Sequence, residues 1–231
     1  MSKPHFVRDY RRKVRNLIDR TADLDTAMSR AVGGNYEAVG RLERDLLLTL
    51  GLKTPDYVID VGAGSGRLAS AISDMIGVRY LGTDVVPELL AYARTKCGRT
   101  DWRFEVVESL VIPEKDGEAD FVVFFSIFTH LTEDECWTYL KEAARVTKSD
   151  GKIVVSFLNR DIQHHRAAAG HRLMQWWSRL RGNGLMNTLL GHAALTDWAT
   201  RLNMTADFDD DNAIGQSVCI FRKRTAQAVS L

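Results

Sequence analysis

Short apolar runs alternate with longer amphipathic segments along the middle of the chain. The runs are typical of buried strands, and the segments between them carry apolar residues at helical spacing. The predicted strands are Tyr57–Val61, Arg79–Thr83, Arg103–Val107, Phe121–Ser126 and Lys152–Phe157, and the predicted helices are Gly66–Ile76, Pro87–Lys96 and Thr132–Val146. Because strands that alternate with helices form parallel sheets with right-handed crossovers, the pattern predicts a doubly wound α/β domain.

Residues 1–55 precede this core and have the spacing of helices. Gly33-Gly34-Asn35 separates two predicted segments, and Thr54-Pro55 ends the second. The second segment has a strong apolar stripe, formed by Leu42, Leu46, Leu47 and Leu50. These segments are predicted to be N-terminal helices that pack on the core.

The alternation stops after Phe157. Residues 159–194 are too long for an ordinary connection, so we predict a helical cap insert over a site. Its apolar residues at helical spacing are Leu173, Trp176, Trp177 and Leu180, which either pack in a core, line an acceptor pocket or touch a membrane or partner. Residues 195–224 are predicted to add a helix (Leu195–Leu202) and a final strand (Ser217–Phe221). We expect one domain, with residues 56–158 as its core.

Composition narrows the class of protein. A chain of 231 residues can bury one sufficient core without metal or disulfide. Its formal net charge of +1 gives no electrostatic argument for nucleic acid or an anionic membrane. Three scattered cysteines indicate neither a zinc site nor a disulfide framework. The apolar runs are too short to span a bilayer, and the charged N-terminal segment is not typical of a secretory signal. We expect a cytoplasmic location; the oligomeric state is left open.

The sequence VIDVGAGSGRLA (residues 58–69) predicts a buried strand that enters a glycine-rich turn. Gly62 and Gly64 permit backbone angles and close approaches that a Cβ atom would block, and the following helix directs its positive end at a ligand. A dinucleotide-binding pattern requires a further glycine where Arg67 stands. The turn therefore predicts a nucleotide-type ligand, although a strand-to-helix turn without a ligand is the structural alternative.

Acidic residues follow the next two predicted strands. Asp84 ends the second strand, where a carboxylate can accept both hydroxyls of a ribose; the alternative is an N-cap for the helix that opens at Pro87. Glu108 closes the third strand, where it could accept a hydrogen bond from an adenine amino group or be a solvated loop residue. Together with the glycine turn, these residues predict an adenosine-containing ligand.

The ordered motifs VIDVGAGSG, LGTDV, VVESL, DFVVFFSIFTHL and ARVTKSDGKIVVSF resemble the class I S-adenosylmethionine-dependent methyltransferases, and more narrowly their bacterial small-molecule branch. The resemblance covers residues 35–158 and returns at residues 215–223. It implies a Rossmann-like, seven-stranded sheet whose last strand is antiparallel, and S-adenosylmethionine as the cofactor. Many relatives carry aspartate where this chain has Glu108.

The resemblance also implies which residues contact the cofactor. The methionine part is expected to contact Asp60, Gly62 and Gly64. The ribose is expected to contact Asp84, and the adenine Glu108, Ser109 and Leu110. Ala63, Val85 and Ser126 lie beside these motifs and complete the predicted cofactor-binding set. Upstream, Arg41 is a candidate partner for the cofactor carboxylate and Tyr36 a candidate cover for its sulfonium; a solvated charge and core packing are the respective alternatives.

His130, in the sequence SIFTHL, is the candidate catalytic residue. Methyl transfer depends on alignment and exclusion of water, and a hydroxyl acceptor also benefits from a base with a pKa near neutrality. A structural histidine at the turn into the next helix is the alternative. No HExxH motif or carboxylate triad accompanies His164, His165, His171 and His192, so we predict no metal site. Asp209–Asp211 is predicted to be a solvated turn.

The leading hypothesis is a methyltransferase that acts on oxygen or nitrogen of a small-molecule acceptor. A DNA substrate is disfavoured because the Asn/Asp-Pro-Pro-aromatic motif is missing after the fourth strand. The alternatives are an NAD-dependent oxidoreductase, a non-catalytic cofactor-binding protein and a methyltransferase with a macromolecular acceptor. Neither the acceptor nor the role of residues 159–194 follows from the sequence.

Overall fold

The structure is a computed structural model that describes residues 5–169 and 187–224. The helices are α1 (His5–Arg20), α2 (Leu24–Ala31), α3 (Tyr36–Thr49), α4 (Arg67–Ala71), α5 (Pro87–Cys97), α6 (Glu133–Val146), α7 (Gln163–Ala169) and α8 (His192–Arg201). The strands are β1 (Tyr57–Val61), β2 (Arg79–Asp84), β3 (Arg103–Val106), β4 (Ala119–Phe124), β5 (Thr147–Asn159), β6 (Leu189–Leu190), β7 (Met204–Asp209) and β8 (Ser217–Lys223). A short 3₁₀ turn, Phe128–His130, connects β4 to α6.

The main sheet within these ranges has the order β3-β2-β1-β4-β5-β8-β7, and the two-residue β6 pairs with the end of β5. Strands β1 to β5 pair in parallel, whereas β8 lies antiparallel between β5 and β7. The predicted doubly wound fold with an antiparallel last strand is therefore confirmed. The strand order reverses between β1 and β4, and this switch point is where open α/β sheets bind ligands.

The apolar pattern did not place the two-residue β6 or the longer strand β7. The β7 sequence MTADFD alternates in burial because the strand forms the edge of the sheet, with one neighbour instead of two. The predicted fourth strand is also displaced, since β4 ends at Phe124 and the chain turns at Ser126. Strand β5 begins at Thr147, five residues earlier than predicted, and the other ends differ from the prediction by at most two residues.

The N-terminal region forms three helices rather than the predicted two. Asp23 separates α1 from α2, where its carboxylate accepts the Thr26 N–H at 2.7 Å and caps α2. Helix α4 ends at Ala71, five residues earlier than predicted, because the backbone continues in tighter turns such as the bond from the Ser73 N–H to the Ser70 carbonyl.

Buried apolar side chains cover both faces of the sheet. One layer packs α6 and α8 against the sheet, through residues such as Leu140 and Leu195. The opposite layer packs α3, α4 and α5, through residues such as Leu47 and Leu68. A smaller cluster joins α1 and α2 to the start of α5 through Val14, and it fixes α1 over the carboxyl ends of β1 and β2.

Several sequence predictions fall outside the described residues. These concern His171 and the apolar residues Leu173, Trp176, Trp177 and Leu180 of the predicted cap. Within residues 5–169 and 187–224, every helix is too short or too polar to cross a membrane.

Candidate functional site

A pocket opens at the carboxyl ends of β1, β2 and β4. It encloses about 910 Å³ of space, part of which is open to solvent. Its lining residues are Tyr10, Val32, Glu43, Asp60, Val61, Gly62, Ala63, Gly64, Arg67, Leu68, Thr83, Asp84, Val85, Val107, Phe125, Ser126, Ile127, His130, Leu131 and Tyr139. Most of the predicted cofactor-binding set is therefore assembled at one place.

The floor of the pocket is the glycine turn that follows β1. Gly62, Gly64 and Gly66 all have positive φ angles, of 77°, 56° and 82°. The N–H groups of Gly62 and Ala63 both donate to the Thr83 carbonyl at 2.8 Å, so the turn rests on the end of β2. Glycine is required here because other residues adopt this conformation only with strain.

Neighbouring elements approach the glycine turn closely. A Cβ atom on Gly64 would lie 2.7 Å from the side chain of Val32, and one on Gly66 would lie 2.6 Å from Ala93 in α5. In the dinucleotide-binding pattern, the last glycine, at the position of Arg67, allows close packing of a helix. Here Gly66 allows the close approach of α5 instead, so position 67 can be an arginine.

Asp84 holds the glycine turn in place. One carboxylate oxygen accepts the Gly64 N–H at 2.9 Å, and the other accepts the Val86 N–H at 2.8 Å. The first residue before α5 is Val86, so Asp84 does not cap this helix directly. Burial raises the pKa of Asp84 to about 6, although both backbone hydrogen bonds oppose this shift.

Asp60 is a second buried carboxyl group in the pocket. The Tyr80 hydroxyl donates to it at 2.6 Å from the adjacent strand. Burial raises the pKa of Asp60 to about 7, while the Tyr80 hydrogen bond and Arg67 oppose the shift.

Glu43 and Arg67 form a third charged feature that the sequence analysis did not identify. Arg67, at the start of α4, lies 3.2 Å from the Glu43 carboxylate of α3. Burial raises the pKa of Glu43 to about 8, and Arg67 opposes this shift. Helix α3 can approach so closely because Gly40 faces α4; a Cβ atom there would lie 2.6 Å from the Arg67 carbonyl oxygen. A glycine one helical turn before a buried acid is the signal that could have identified the pair.

Helix α1 covers the side of the pocket next to the loops that follow β2 and β3. Arg11 donates from Nε to the Val85 carbonyl at 2.8 Å, and its guanidinium pairs with the Glu108 carboxylate. It thus joins the loop that follows β2 to the loop that follows β3. Tyr10, from the same helix, lines the pocket, and burial and Asp84 together raise the pKa of its hydroxyl to about 12.

Two N-terminal candidates lie away from the pocket, and both expectations need correction. The Arg41 side chain is 66% exposed and lies 3.9 Å from Glu37, because the pocket-facing side of α3 is the one that carries Glu43. The Tyr36 hydroxyl donates to the carbonyls of Ser65 and Gly66, at 2.9 and 2.8 Å. Tyr36 thus buttresses the glycine turn from outside instead of covering the pocket.

The adenine candidates are only partly brought together. Val107 and Val85 line the pocket, and Glu108 lies beside it through its contact with Arg11. Ser109 is exposed, and Leu110 packs against the core on the α6 side. Neither residue is among those that line the pocket.

Ser126 is one of three residues that form a closed ring of hydrogen bonds. Its N–H donates to the Ser156 hydroxyl at 2.7 Å, Ser156 donates to the Gln216 amide oxygen at 2.8 Å, and the Gln216 amide nitrogen donates to the Ser126 hydroxyl at 3.0 Å. The ring holds Ser126 at a φ of 61°, which a residue with a side chain rarely adopts. Gln216 therefore connects the turn before β8 to the pocket wall.

His130 lines the same pocket, and its ring lies edge-on to Tyr10 with 5.8 Å between ring centroids. The other described histidines have different surroundings. His165 is buried, and its Nδ1 accepts a hydrogen bond from the Asn159 N–H at 3.0 Å. The His192 ring stacks on the Phe208 ring, with 4.0 Å between the ring centroids. Within the described residues, no cluster of three or more potential metal ligands is present.

The predicted solvated turn at Asp209–Asp211 is wrong for its central residue. Asp210 is half-buried, and one of its oxygens accepts the Ser217 hydroxyl at 2.5 Å and lies 3.1 Å from His192. These hydrogen bonds lower the pKa of Asp210 against the effect of burial. Asp210 thus ties the start of β8 to α8.

Comparison with known proteins identifies this arrangement. A family model described as a methyltransferase domain matches residues 58–151, the segment that contains the glycine turn, Asp84 and His130. Together with the related enzymes and solved structures described next, this match supports a class I S-adenosylmethionine-dependent methyltransferase.

Related methyltransferases match different lengths of the chain. A malonyl-[acyl-carrier protein] O-methyltransferase from Geobacter sulfurreducens is 34% identical over 149 residues, which is 61% of this chain and 51% of the relative. A demethylmenaquinone methyltransferase from Tropheryma whipplei is 32% identical over 109 residues, 46% of this chain and 43% of the relative. The chain thus spans about half or less of the length of these relatives.

Solved structures support the fold over a longer span. A magnesium protoporphyrin IX methyltransferase from Synechocystis, solved with bound S-adenosylmethionine, aligns with a TM-score of 0.63 at 14% identity and covers 95% of this chain and 96% of its own. A TehB-like methyltransferase from Corynebacterium glutamicum aligns with a TM-score of 0.56 at 21% identity, over 96% and 100% of the two chains. At these identities the likeness shows the fold.

The raised pKa values in this methyltransferase pocket predict a pH-dependent stability. Asp84, Asp60 and Glu43 have ordinary values of 3.8, 3.8 and 4.5 and folded values of about 6, 7 and 8. At pH values between the ordinary and the folded pKa values, the folded protein binds more protons than the unfolded chain. The contribution of these groups to the free energy of unfolding is therefore fully present below pH 4 to 5 and is lost as the pH rises toward 8.

Thermal melts of the ligand-free protein at pH 6 and pH 8.5 test this effect through the Glu43→Gln variant. Between pH 6 and pH 8.5, the free energy of unfolding of the wild type is expected to fall by about 1 kcal/mol or more relative to that of the variant. The reason is that a shift of one pKa unit corresponds to about 1.4 kcal/mol. The exposed Glu37→Gln change is the matched control. Parallel pH profiles of the wild type and Glu43→Gln would contradict the expectation.

Proposed function

We propose that this chain transfers a methyl group from S-adenosylmethionine to oxygen or nitrogen of a small-molecule acceptor. The observation that carries the proposal is the Asp84 carboxylate, which lines the pocket and holds the Gly64 N–H of the glycine turn at 2.9 Å. A carboxylate in this position retains acceptor capacity for ribose hydroxyls. The glycine turn beside it presents backbone without side chains to the pocket, so a ligand can approach it closely.

The pocket residues fit this cofactor by their chemistry. Gly62 and Gly64 would receive the methionine part and Asp84 the ribose, while Val85, Val107 and Glu108 would border the adenine. The bound cofactor supplies a methyl group activated by a sulfonium. The contribution of the chain is to align the acceptor, to exclude water and to hold the reacting groups in one geometry.

The acceptor side of the pocket is apolar, with one ionisable group that suits proton transfer. Ile127, Leu131 and Tyr139 provide apolar surface, and His130 and Tyr10 lie next to each other at the wall. We propose that His130 takes the proton of a hydroxyl acceptor as its oxygen is methylated. Tyr10 remains protonated at neutral pH and can donate a hydrogen bond to the acceptor.

The related enzymes are named for different acceptors. One is named for O-methylation of malonyl-[acyl-carrier protein] and another for methylation of demethylmenaquinone. A macromolecular carrier for the acceptor is therefore a second possibility. We further propose that the chain acts as a single domain in which the N-terminal helices close over the acceptor.

Calorimetric titration of the purified protein tests the cofactor. S-adenosylhomocysteine is expected to bind with a micromolar dissociation constant, and NADH is expected not to bind under the same conditions. Binding of NADH alone, or of neither ligand, would overturn the proposal.

Turnover distinguishes an enzyme from a non-catalytic cofactor-binding protein. The protein is incubated with S-adenosylmethionine carrying a labelled methyl group and with a panel of hydroxyl, carboxyl and amine acceptors. His130→Asn is expected to retain S-adenosylhomocysteine binding and to lose most transfer to a hydroxyl acceptor, by about 100-fold or more. Undiminished transfer by this variant would remove His130 from the mechanism.

A further inference from the structure

The ion pair between Glu43 and Arg67 lies in the wall of the pocket rather than at the protein surface. The two side chains are only 3% and 13% exposed, and both line the pocket. Removing two charges from water is costly, and a buried pair is weak evidence for a contribution to stability. A role in ligand binding would explain the position of this pair.

Each member of the pair has unused hydrogen-bonding capacity. A guanidinium has five N–H donors in a planar fork, and a carboxylate can accept about four hydrogen bonds. Between Arg67 and Glu43 the structure records one contact, at 3.2 Å, and it gives neither side chain a second ion-pair partner among the described residues. One edge of each group therefore remains available on the pocket side.

The other two carboxylates of the pocket are already engaged. Asp84 accepts two backbone N–H groups, and Asp60 accepts the Tyr80 hydroxyl. Glu43 and Asp60 each have one recorded side-chain partner, but Glu43 is the acid that is paired with Arg67, the guanidinium among the lining residues. A ligand with adjacent positive and negative groups matches this adjacent pair.

We propose that Glu43 and Arg67 together form the receptor for the amino-acid end of the cofactor. Arg67 binds the carboxylate of the ligand through its planar fork, and Glu43 binds the ammonium on the same carbon atom. The ammonium of the ligand favours the charged form of Glu43, whose pKa is about 8 without it, so the four groups form a ring in which positive and negative charges alternate. The inference rests on the proposed function, and it assigns to Arg67 the role that the sequence analysis gave to Arg41.

The packing of α3 against α4 builds this receptor before a ligand arrives. Gly40 allows the two helix backbones to approach, and Glu43 lies three residues later on the same side of α3. Arg44 makes a similar contact between the two helices, with a hydrogen bond to the Ala71 carbonyl at 3.0 Å and a contact with Asp74 at 3.3 Å. Because Arg44 does not line the pocket, it provides a matched control for Arg67.

The inference is tested with four ligands and two main variants. The ligands are S-adenosylhomocysteine, its analogue without the carboxylate, its analogue without the amino group, and methylthioadenosine, which lacks the whole amino-acid end. The variants are Arg67→Met and Glu43→Gln, with Arg44→Met as the control. Dissociation constants are measured by calorimetry on the full chain.

Arg67→Met is expected to weaken S-adenosylhomocysteine about 10- to 100-fold, while the analogue without the carboxylate and methylthioadenosine change by less than about twofold. Glu43→Gln is expected to weaken S-adenosylhomocysteine about 10-fold or more, but not the analogue without the amino group. Unchanged binding of methylthioadenosine shows that the variant is folded. Arg44→Met is expected to bind all four ligands like the wild type.

Three results would overturn the inference. One is a wild type that binds S-adenosylhomocysteine no more tightly than methylthioadenosine. Another is an Arg67→Met variant that still distinguishes these two ligands as the wild type does. The third is an amino-group contribution that disappears in Asp60→Asn but persists in Glu43→Gln. Failure of the wild type to bind any adenosine ligand would instead contradict the proposed function.

Discussion

Replacing Asp84 with asparagine is expected to reduce the affinity for S-adenosylhomocysteine by about 100-fold or more. The carboxylate accepts the N–H groups of Gly64 and Val86, and in the proposed complex it also accepts ribose hydroxyls. An asparagine would present an NH₂ group to one of these donors. Hydrogen bonds to a charged group contribute about 1.5–3 kcal/mol each, and each 1.4 kcal/mol corresponds to about tenfold in affinity.

The Asp74→Asn change is the control for the Asp84 experiment. Asp74 has a 66% exposed side chain and contacts Arg44 outside the pocket, so its loss of charge is expected to leave the affinity unchanged. Calorimetry on both variants, with circular dichroism to verify folding, gives the comparison. A folded Asp84→Asn variant with wild-type affinity would remove Asp84 from the binding site.

Replacing Gly66 with alanine is expected to destabilise the protein by about 2–5 kcal/mol. Gly66 has a φ of 82°, which costs an ordinary residue about 1–2 kcal/mol. A Cβ atom would also lie 2.6 Å from the Ala93 side chain and 3.0 Å from its Cα atom, so the backbone of α5 would have to move. Overpacking of this kind costs about 1–3 kcal/mol more.

Gly98→Ala separates these two contributions. Gly98 also has a positive φ, of 65°, but a Cβ atom there would meet no atom within 4 Å. It therefore carries the conformational cost without the clash, about 1–2 kcal/mol. Denaturant unfolding of both variants measures the difference. Equal losses of stability would show that the approach of α5 does not constrain Gly66.

The core of the site could be predicted from sequence because its residues are close together along the chain. The glycine turn, Asp60 and Asp84 all lie at the ends of consecutive apolar strands, and the alternation of strands and helices places these ends at one edge. Their convergence follows from topology, so no knowledge of side-chain packing was needed.

The residues that the N-terminal helices contribute could not be predicted in this way. An apolar stripe shows which side of a helix is buried, but not which neighbour covers it. The choice of Arg41 in α3 illustrates the problem. Arg41 and Glu43 are two residues apart and therefore project about 200° apart around the helix, since each residue turns it by about 100°. Once Gly40 brings the Glu43 side against α4, Arg41 must face solvent.

Polar contacts between residues far apart in the sequence could not be predicted from the sequence either. Arg11 reaches Val85 and Glu108, which are far away in the sequence, and no local pattern marks an arginine for such a contact. Asp210 looked like part of a solvated turn because three consecutive acids are usually exposed. Its half-buried position depends on Ser217 and His192, which only the fold brings to it.

The hydrogen-bond ring through Gln216 has a consequence for the order in which the pocket is completed during synthesis. All the residues that line the pocket lie between Tyr10 and Tyr139, so they are synthesised before β8. Ser126 reaches its final hydrogen-bonded conformation only when Gln216 can donate to it. A nascent chain arrested before residue 216 would therefore contain the glycine turn and Asp84 but an unfinished pocket wall. Competence to align an acceptor would arise last, when the final hairpin closes.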